Sequence, residues 1–239
     1  MKALIKYQCW TTIKPLIVFY AILYGIVILG YILAYFITGG LLDSPFSGIE
    51  FSCFIYLGIT GSLGFSEDFK MAIQNSFTRK QIVAATFSMF LFVTCIMSTI
   101  DTLGALCIQQ FSPLYRTLLE QTYYLDASIL TQWLSLFVVY FSIITCSYLL
   151  NLISNKLGKK VFYLTLISAG LIIFGLLPMI ITICLPQNTV NEIGKTLGII
   201  LGYLPNRDIN LLNPLLLISS IIVIITGLSY LIIKKTELN

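Results

Sequence analysis

The chain has 239 residues, of which 58% are hydrophobic and only 10% charged, with a formal net charge of +4 and no histidine. A soluble domain carries roughly 25% charged residues, so this composition excludes one and points to a membrane protein without a second, soluble domain. Without histidine, His-based zinc proteases, His-containing Ser or Cys triads and haem–His sites are excluded, and no Arg-rich stripe marks a nucleic-acid surface.

Residues 1–14 mix Leu4, Ile5, Tyr7, Trp10 and Ile13 with Lys2, Lys6 and Lys14 and end at Pro15. They predict an interfacial helix lying on the bilayer, with Tyr7 and Trp10 at headgroup level. The apolar run that follows is too long for a signal peptide and lacks a small-x-small cleavage site, so it reads as a retained anchor. Uncharged runs predict six transmembrane helices, at about 16–38, 48–65, 81–108, 129–150, 161–185 and 214–233, most of them near the ~20 residues a helix needs to cross. The runs are continuously apolar rather than alternating, which disfavours a strand barrel. Fold class is therefore all-α, a single polytopic domain over 1–239.

The first span leads into a turn-rich loop with Asp43, Ser44 and Pro45. The second carries Gly58, Gly61 and Gly64 at a spacing of three, which lines small residues along one face for close helix packing or a substrate-lining groove. Segment 66–80 follows. Ser66 can cap a helix whose first turn holds Glu67 and Asp68, and Phe69, Ile73 and Phe77 recur every four residues. The resulting apolar stripe needs a cover, either the membrane and neighbouring spans or a groove in a partner protein.

The third span contains Asp101, whose burial at mid-bilayer would cost roughly 2.5 to 3.5 kcal/mol on insertion scales. Twenty residues separate it from Gln81. At 1.5 Å per residue that is about 30 Å, near the far interface, which favours an interfacial or helix-pairing role over lining a pathway. Ser112-Pro113 then predicts the start of a short surface helix. In the fifth span Gly170, Gly175 and Pro178 predict a kink near Pro178. Residues 188–204 are too apolar for an ordinary loop and too short and charged for another crossing. Gly194, Gly198 and Gly202, four apart, predict a close-packing face on a re-entrant or interfacial helix. Asn213-Pro214 starts the last span, which ends at Lys234-Lys235.

The basic residues give the topology. Eleven of the fourteen Lys and Arg fall at the N-terminus (Lys2, Lys6, Lys14), after the second span (Lys70, Arg79, Lys80), after the fourth (Lys156, Lys159, Lys160) and at the end (Lys234, Lys235). Basic residues in short loops resist translocation, so both termini and segment 66–80 are expected in the cytoplasm. Cys9, Cys53, Cys95, Cys107, Cys146 and Cys184 lie within, at the ends of or just before the predicted spans and read as small apolar packing residues rather than a disulfide framework.

Residues 67–81, Glu67-Asp68-Phe69-Lys70-Met71-Ala72-Ile73-Gln74-Asn75-Ser76-Phe77-Thr78-Arg79-Lys80-Gln81, between the second and third of six spans, resemble the coupling segment of ABC type-2 exporter permeases. Family members often show an apolar helix followed by Asn-Gly-x-Ser-Arg-Lys; here Ser76 stands where Gly is usual and Thr78 where Ser is usual. The resemblance in architecture covers essentially the whole chain. It implies that segment 66–80 is a coupling helix fitting a cleft of a separate ABC ATPase subunit, with Phe69, Ile73 and Phe77 as apolar contacts and Glu67, Asp68 and Arg79 as polar ones. It also implies that the helix before the last span closes the outer end of the pathway. The sequence has no Gly-x-x-x-x-Gly-Lys-Ser/Thr stretch, so ATP and its Mg ion are expected on the partner and the chain is not expected to be an enzyme.

The expectation is thus a permease subunit of the cell membrane, paired with a second permease subunit, identical or related, and exporting a small hydrophobic or amphipathic substrate. A peptide, an antimicrobial or a lipid-like molecule would suit. An ATP-independent immunity or scaffold protein, or a secondary carrier or channel, is the alternative, the carrier requiring buried charge near mid-membrane or an inverted repeat. A histidine-free membrane hydrolase would need a buried Lys or a second buried Asp.

Overall fold

In a computed structural model of the chain, residues 2–38, 48–64, 66–112, 115–123, 128–171, 186–203 and 209–235 are described. They are helical in α1 (Lys2–Thr38), α2 (Ile49–Leu63), α3 (Ser66–Gln74), α4 (Arg79–Phe111), α5 (Leu118–Tyr123), α6 (Ile129–Leu157), α7 (Lys159–Leu171), α8 (Gln187–Ile200) and α9 (Leu212–Lys235). Four of these, α1, α4, α6 and α9, are long and apolar enough to cross a membrane. Six were expected. The second predicted span is the 15-residue α2, about 22 Å long at 1.5 Å per residue against a hydrocarbon core of about 30 Å. Of the fifth, α7 covers the first part, and 172–185, with the kink expected near Pro178, lies outside the described residues, as does the 39–47 loop.

The break expected after residue 14 is absent. α1 runs through Pro15 as one 37-residue helix. Pro15 removes the bond to the carbonyl four residues back and crowds that carbonyl with its ring, yet a buried stripe of Leu4, Gln8, Leu16, Tyr20 and Val27 continues across it.

The chain forms two compact units, Met1–Tyr148 and Leu149–Asn239. In the first, α1, α2, α4 and α6 pack through aromatic and small residues. Phe19 stacks on Tyr56 at 4.5 Å between ring centres, and Phe54 meets Tyr140 edge-on at 5.8 Å. The Tyr148 ring sits against Phe87 and Phe90, the edge-to-face geometry that ring quadrupoles favour. Gly61 lets α2 approach α6 so closely that a Cβ there would overlap the Ile144 carbonyl. Trp133 on α6 donates to the Thr99 hydroxyl of α4 at 3.0 Å.

In the second unit Gly158, in the left-handed conformation, ends α6 and leads into α7. Gly202 ends α8 in a Schellman turn: its N–H donates to Ile199 at 3.1 Å and that of Tyr203 to Gly198 at 2.8 Å. The chain then returns to α9, with Asn210 donating to the Gly202 carbonyl and Asn213 to that of Ile199 at 3.0 Å. α9 begins at Leu212, two residues before Pro214.

Candidate functional site

Two places in the first unit carry chemistry beyond packing: the joint between α3 and α4, and a set of buried carboxylates at the opposite end of α4.

The joint is built in five residues. α3 closes with the N–H of Ser76 on Ile73 at 2.9 Å and that of Phe77 on Ala72 at 3.1 Å, a Schellman turn whose left-handed residue is Ser76, φ +60°. Glycine adopts that conformation freely and other L-residues do not. Thr78 then caps α4. Its hydroxyl accepts from the Gln81 N–H at 3.4 Å, and the Gln81 side chain accepts from the Thr78 N–H at 3.0 Å, a reciprocal capping box. Arg79 is the first residue of α4. The α3 end and the α4 start are thus held by backbone and cap bonds, and the turn leads directly into α4, roughly 50 Å long.

The apolar stripe expected on this segment is divided. Phe69 is only 4% exposed and Ala72 fully covered, so the chain itself covers the start of the stripe. Ile73 and Phe77 are half-buried and present their remaining surface outward. The side chains of Ser66, Glu67, Asp68 and Lys70 lie outside the described residues.

At the far end of α4 three carboxylates are buried, Glu50 at the start of α2, Asp101 in α4 and Glu120 in α5. Glu120 is the most fully engaged. Its Oε2 accepts from the Thr117 N–H at 2.9 Å and from Gln109 at 3.2 Å, and its Oε1 from Gln132. The Thr117 hydroxyl accepts from the Glu120 N–H at 3.4 Å. α5 is therefore capped by Thr117 and Glu120, not begun at Ser112-Pro113 as the sequence suggested. Glu50 Oε1 accepts a further free N–H of that helix start, from Leu118 at 3.2 Å.

Asp101 is 6% exposed. Its Oδ2 accepts from the Tyr140 hydroxyl, which joins α4 to α6. Alongside, Tyr20 donates to the Met97 carbonyl at 3.3 Å and Tyr24 to that of Ile100 at 3.4 Å, bringing α1 onto the same face. Tyr115, in the loop before α5, is buried here, and burial together with the neighbouring Glu50 and Asp101 raises its hydroxyl well above the usual phenol range. It stays a neutral hydroxyl at physiological pH.

The remaining expected residues are placed apart from this cluster. Gly58 lies 3.7 Å, counted from a Cβ built on it, from the Ser147 hydroxyl, and Gly64 lies 3.5 Å from the Phe90 ring, so with Gly61 they are packing positions of α2. Among the described residues, Gly194 has nothing within 4 Å and Gly198 meets Tyr203, beginning at 3.9 Å. Gly202 is a helix terminator with φ +98°. Glu50, Glu120, Gln132 and Tyr140 were not singled out from the sequence; the pattern Thr117-Leu118-Leu119-Glu120 is a readable capping box, whereas nothing local marks Glu50 or Tyr140. No family model matches the sequence, and neither curated proteins nor solved structures give a match to it.

Proposed function

We propose that this chain is the membrane-spanning permease subunit of an ATP-driven ABC exporter, working as a pair of such subunits, identical or related, with two separate ATPase chains. In this reading the protein lies in the cell membrane with both termini and the α3–α4 joint in the cytoplasm, as its basic residues favour. ATP and its Mg ion belong to the ATPase partner.

The observation that carries the reading is the left-handed Ser76 between α3 and the capping box of α4. It falls where the coupling segment of the exporter family usually has glycine, and it gives that preference a physical reason: the turn requires a positive φ. Ile73 and Phe77, half-buried on the same turn, are the apolar surface an ATPase cleft would cover, with Arg79 beside them. Closure of the ATPases on ATP would push α3, and the tight joint would carry the displacement along α4 toward Asp101 and Tyr140. Alternating access then needs only that ATP-bound and nucleotide-free partners favour different packings of the helices. The substrate is a small hydrophobic or amphipathic molecule.

A gradient-driven carrier is the second reading, favoured by the burial of Glu50 and Asp101 inside apolar helices. One experiment separates the two. Tagged wild-type chain and Ile73→Asp/Phe77→Asp are purified in mild detergent, and the eluates are assayed for co-purifying chains and ATP hydrolysis. Phe69 is left intact because its burial would make its replacement a folding defect. The exporter reading expects a stoichiometric ATPase with the wild type that is lost from a variant of unchanged melting temperature. A wild type that elutes alone and inactive contradicts it.

A further inference from the structure

We infer that the Glu50–Asp101 end of the first unit is a binding site for a primary ammonium group carried on an apolar body. As a cargo site it rests on the exporter reading; as a binding site it stands without it.

Glu50 and Asp101, 3% and 6% exposed, line one small cavity of about 10 Å³ together with Tyr24 and Tyr115. Space of that size holds a single water-sized group. Each carboxylate has one engaged oxygen, on the Leu118 N–H and the Tyr140 hydroxyl. The other oxygen of each, Glu50 Oε2 and Asp101 Oδ1, is fully buried and has no hydrogen-bond partner among the described residues. Tyr20 and Cys53 also come within hydrogen-bonding reach of the Asp101 carboxylate, but as neutral donors neither offsets its charge. Two buried acids with no basic partner among the described residues are costly as anions, by several kcal/mol each. A compact –NH₃⁺ with three donors matches both unpaired acceptors, whereas a guanidinium or a quaternary ammonium is too large for the cavity.

The second observation is what adjoins it. Tyr24, Gly104 and Ile108 are shared between the small cavity and an apolar groove of about 900 Å³ between α1 and α4, within the range of small-molecule sites. Ile28 and Leu103 line this groove. A Cβ at Gly104 would overlap the Tyr24 hydroxyl, so glycine there is what lets Tyr24 stand between the two spaces. Its bond to the Ile100 carbonyl, at 3.4 Å, is long and weak. A ligand with its amine on the carboxylates and its body in the groove satisfies both halves. An inorganic cation leaves the groove unused, and an anionic amphiphile is repelled by the acids.

The test is calorimetric binding to the full-length chain in nanodiscs. The probes are 4-phenylbutylammonium and its uncharged isostere 4-phenylbutanol, with ammonium chloride and sodium chloride as further arms. The amine is expected to bind saturably and at least about tenfold more tightly than the alcohol, as a charged hydrogen bond warrants. Asp101→Asn/Glu50→Gln should reduce it to the level of the alcohol, and Ile28→Trp, which fills the groove without touching the acids, should weaken both probes together. Equal affinity of amine and alcohol in the wild type overturns the inference and needs no variant. So does saturable binding of ammonium or sodium chloride alone, or a folded double variant that binds the amine like the wild type. Amine binding by a chain that recruits no ATPase would retain the site while removing the exporter reading.

Discussion

Two glycine triplets, three apart in α2 and four apart in α8, resemble each other on paper and differ in the fold. In α2, Gly58 and Gly61, with Gly64 as its C-cap, lie against Ser147, Ile144 and Phe90 respectively, and at Gly61 there is no room for even a methyl group. In α8, Gly194 meets none of the described residues, Gly198 is in loose contact with Tyr203, and Gly202 lies past the helix end with φ +98°. A spacing of small residues thus identifies a helix face, but only a second helix makes that face a packing surface. A glycine in register with the repeat can instead be there for its backbone.

Alanine at Gly61 and at Gly194 should therefore have opposite effects, read as thermal or denaturant unfolding of the purified chain. The largest change is expected for Gly61→Ala, which pushes α2 from α6 and should destabilise by up to about 3 kcal/mol, the range of overpacked interiors. Gly202→Ala should cost about 1 to 2 kcal/mol, because an L-residue is strained at positive φ and its Cβ would lie 2.8 Å from the Asn210 carbonyl. Ser76→Gly, relieving the same strain in the α3–α4 turn, should stabilise by about 1 kcal/mol. Smallest is Gly194→Ala, expected to stabilise by about 0.5 to 1 kcal/mol through helix propensity alone. A Gly194→Ala loss as large as that of Gly61→Ala would break the comparison and reveal a covered α8 face.

The legible part of this fold is what local chemistry decides. Apolar runs and lysine pairs marked the long helices, and Asn213-Pro214 marked the start of α9 to within two residues. The stripe at Phe69, Ile73 and Phe77 was legible as a helix face, but its cover was not: Phe69 turns inward and the other two only half so. Pro15 was read as a boundary because its lost hydrogen bond is local, while the buried stripe that continues α1 across it depends on the other helices. The carboxylate cluster was the least legible. Its bonds join Glu50 to Leu118 and Asp101 to Tyr140, across separations at which no sequence periodicity operates. The capping pair Thr117 and Glu120 was in plain view, and Ser112-Pro113 competed with it for the same helix start.

The central claim is that the α3–α4 joint is where a separate ATPase engages this chain, and site-specific photocrosslinking tests it most directly. A benzoylphenylalanine at Asn75, exposed on the joint, is compared in cells with one at Gly194 on α8. The account predicts an adduct with an ATP-binding chain from position 75 that Ile73→Asp/Phe77→Asp abolishes, and none from position 194. No such adduct from position 75, or the same adduct from both positions, would contradict it.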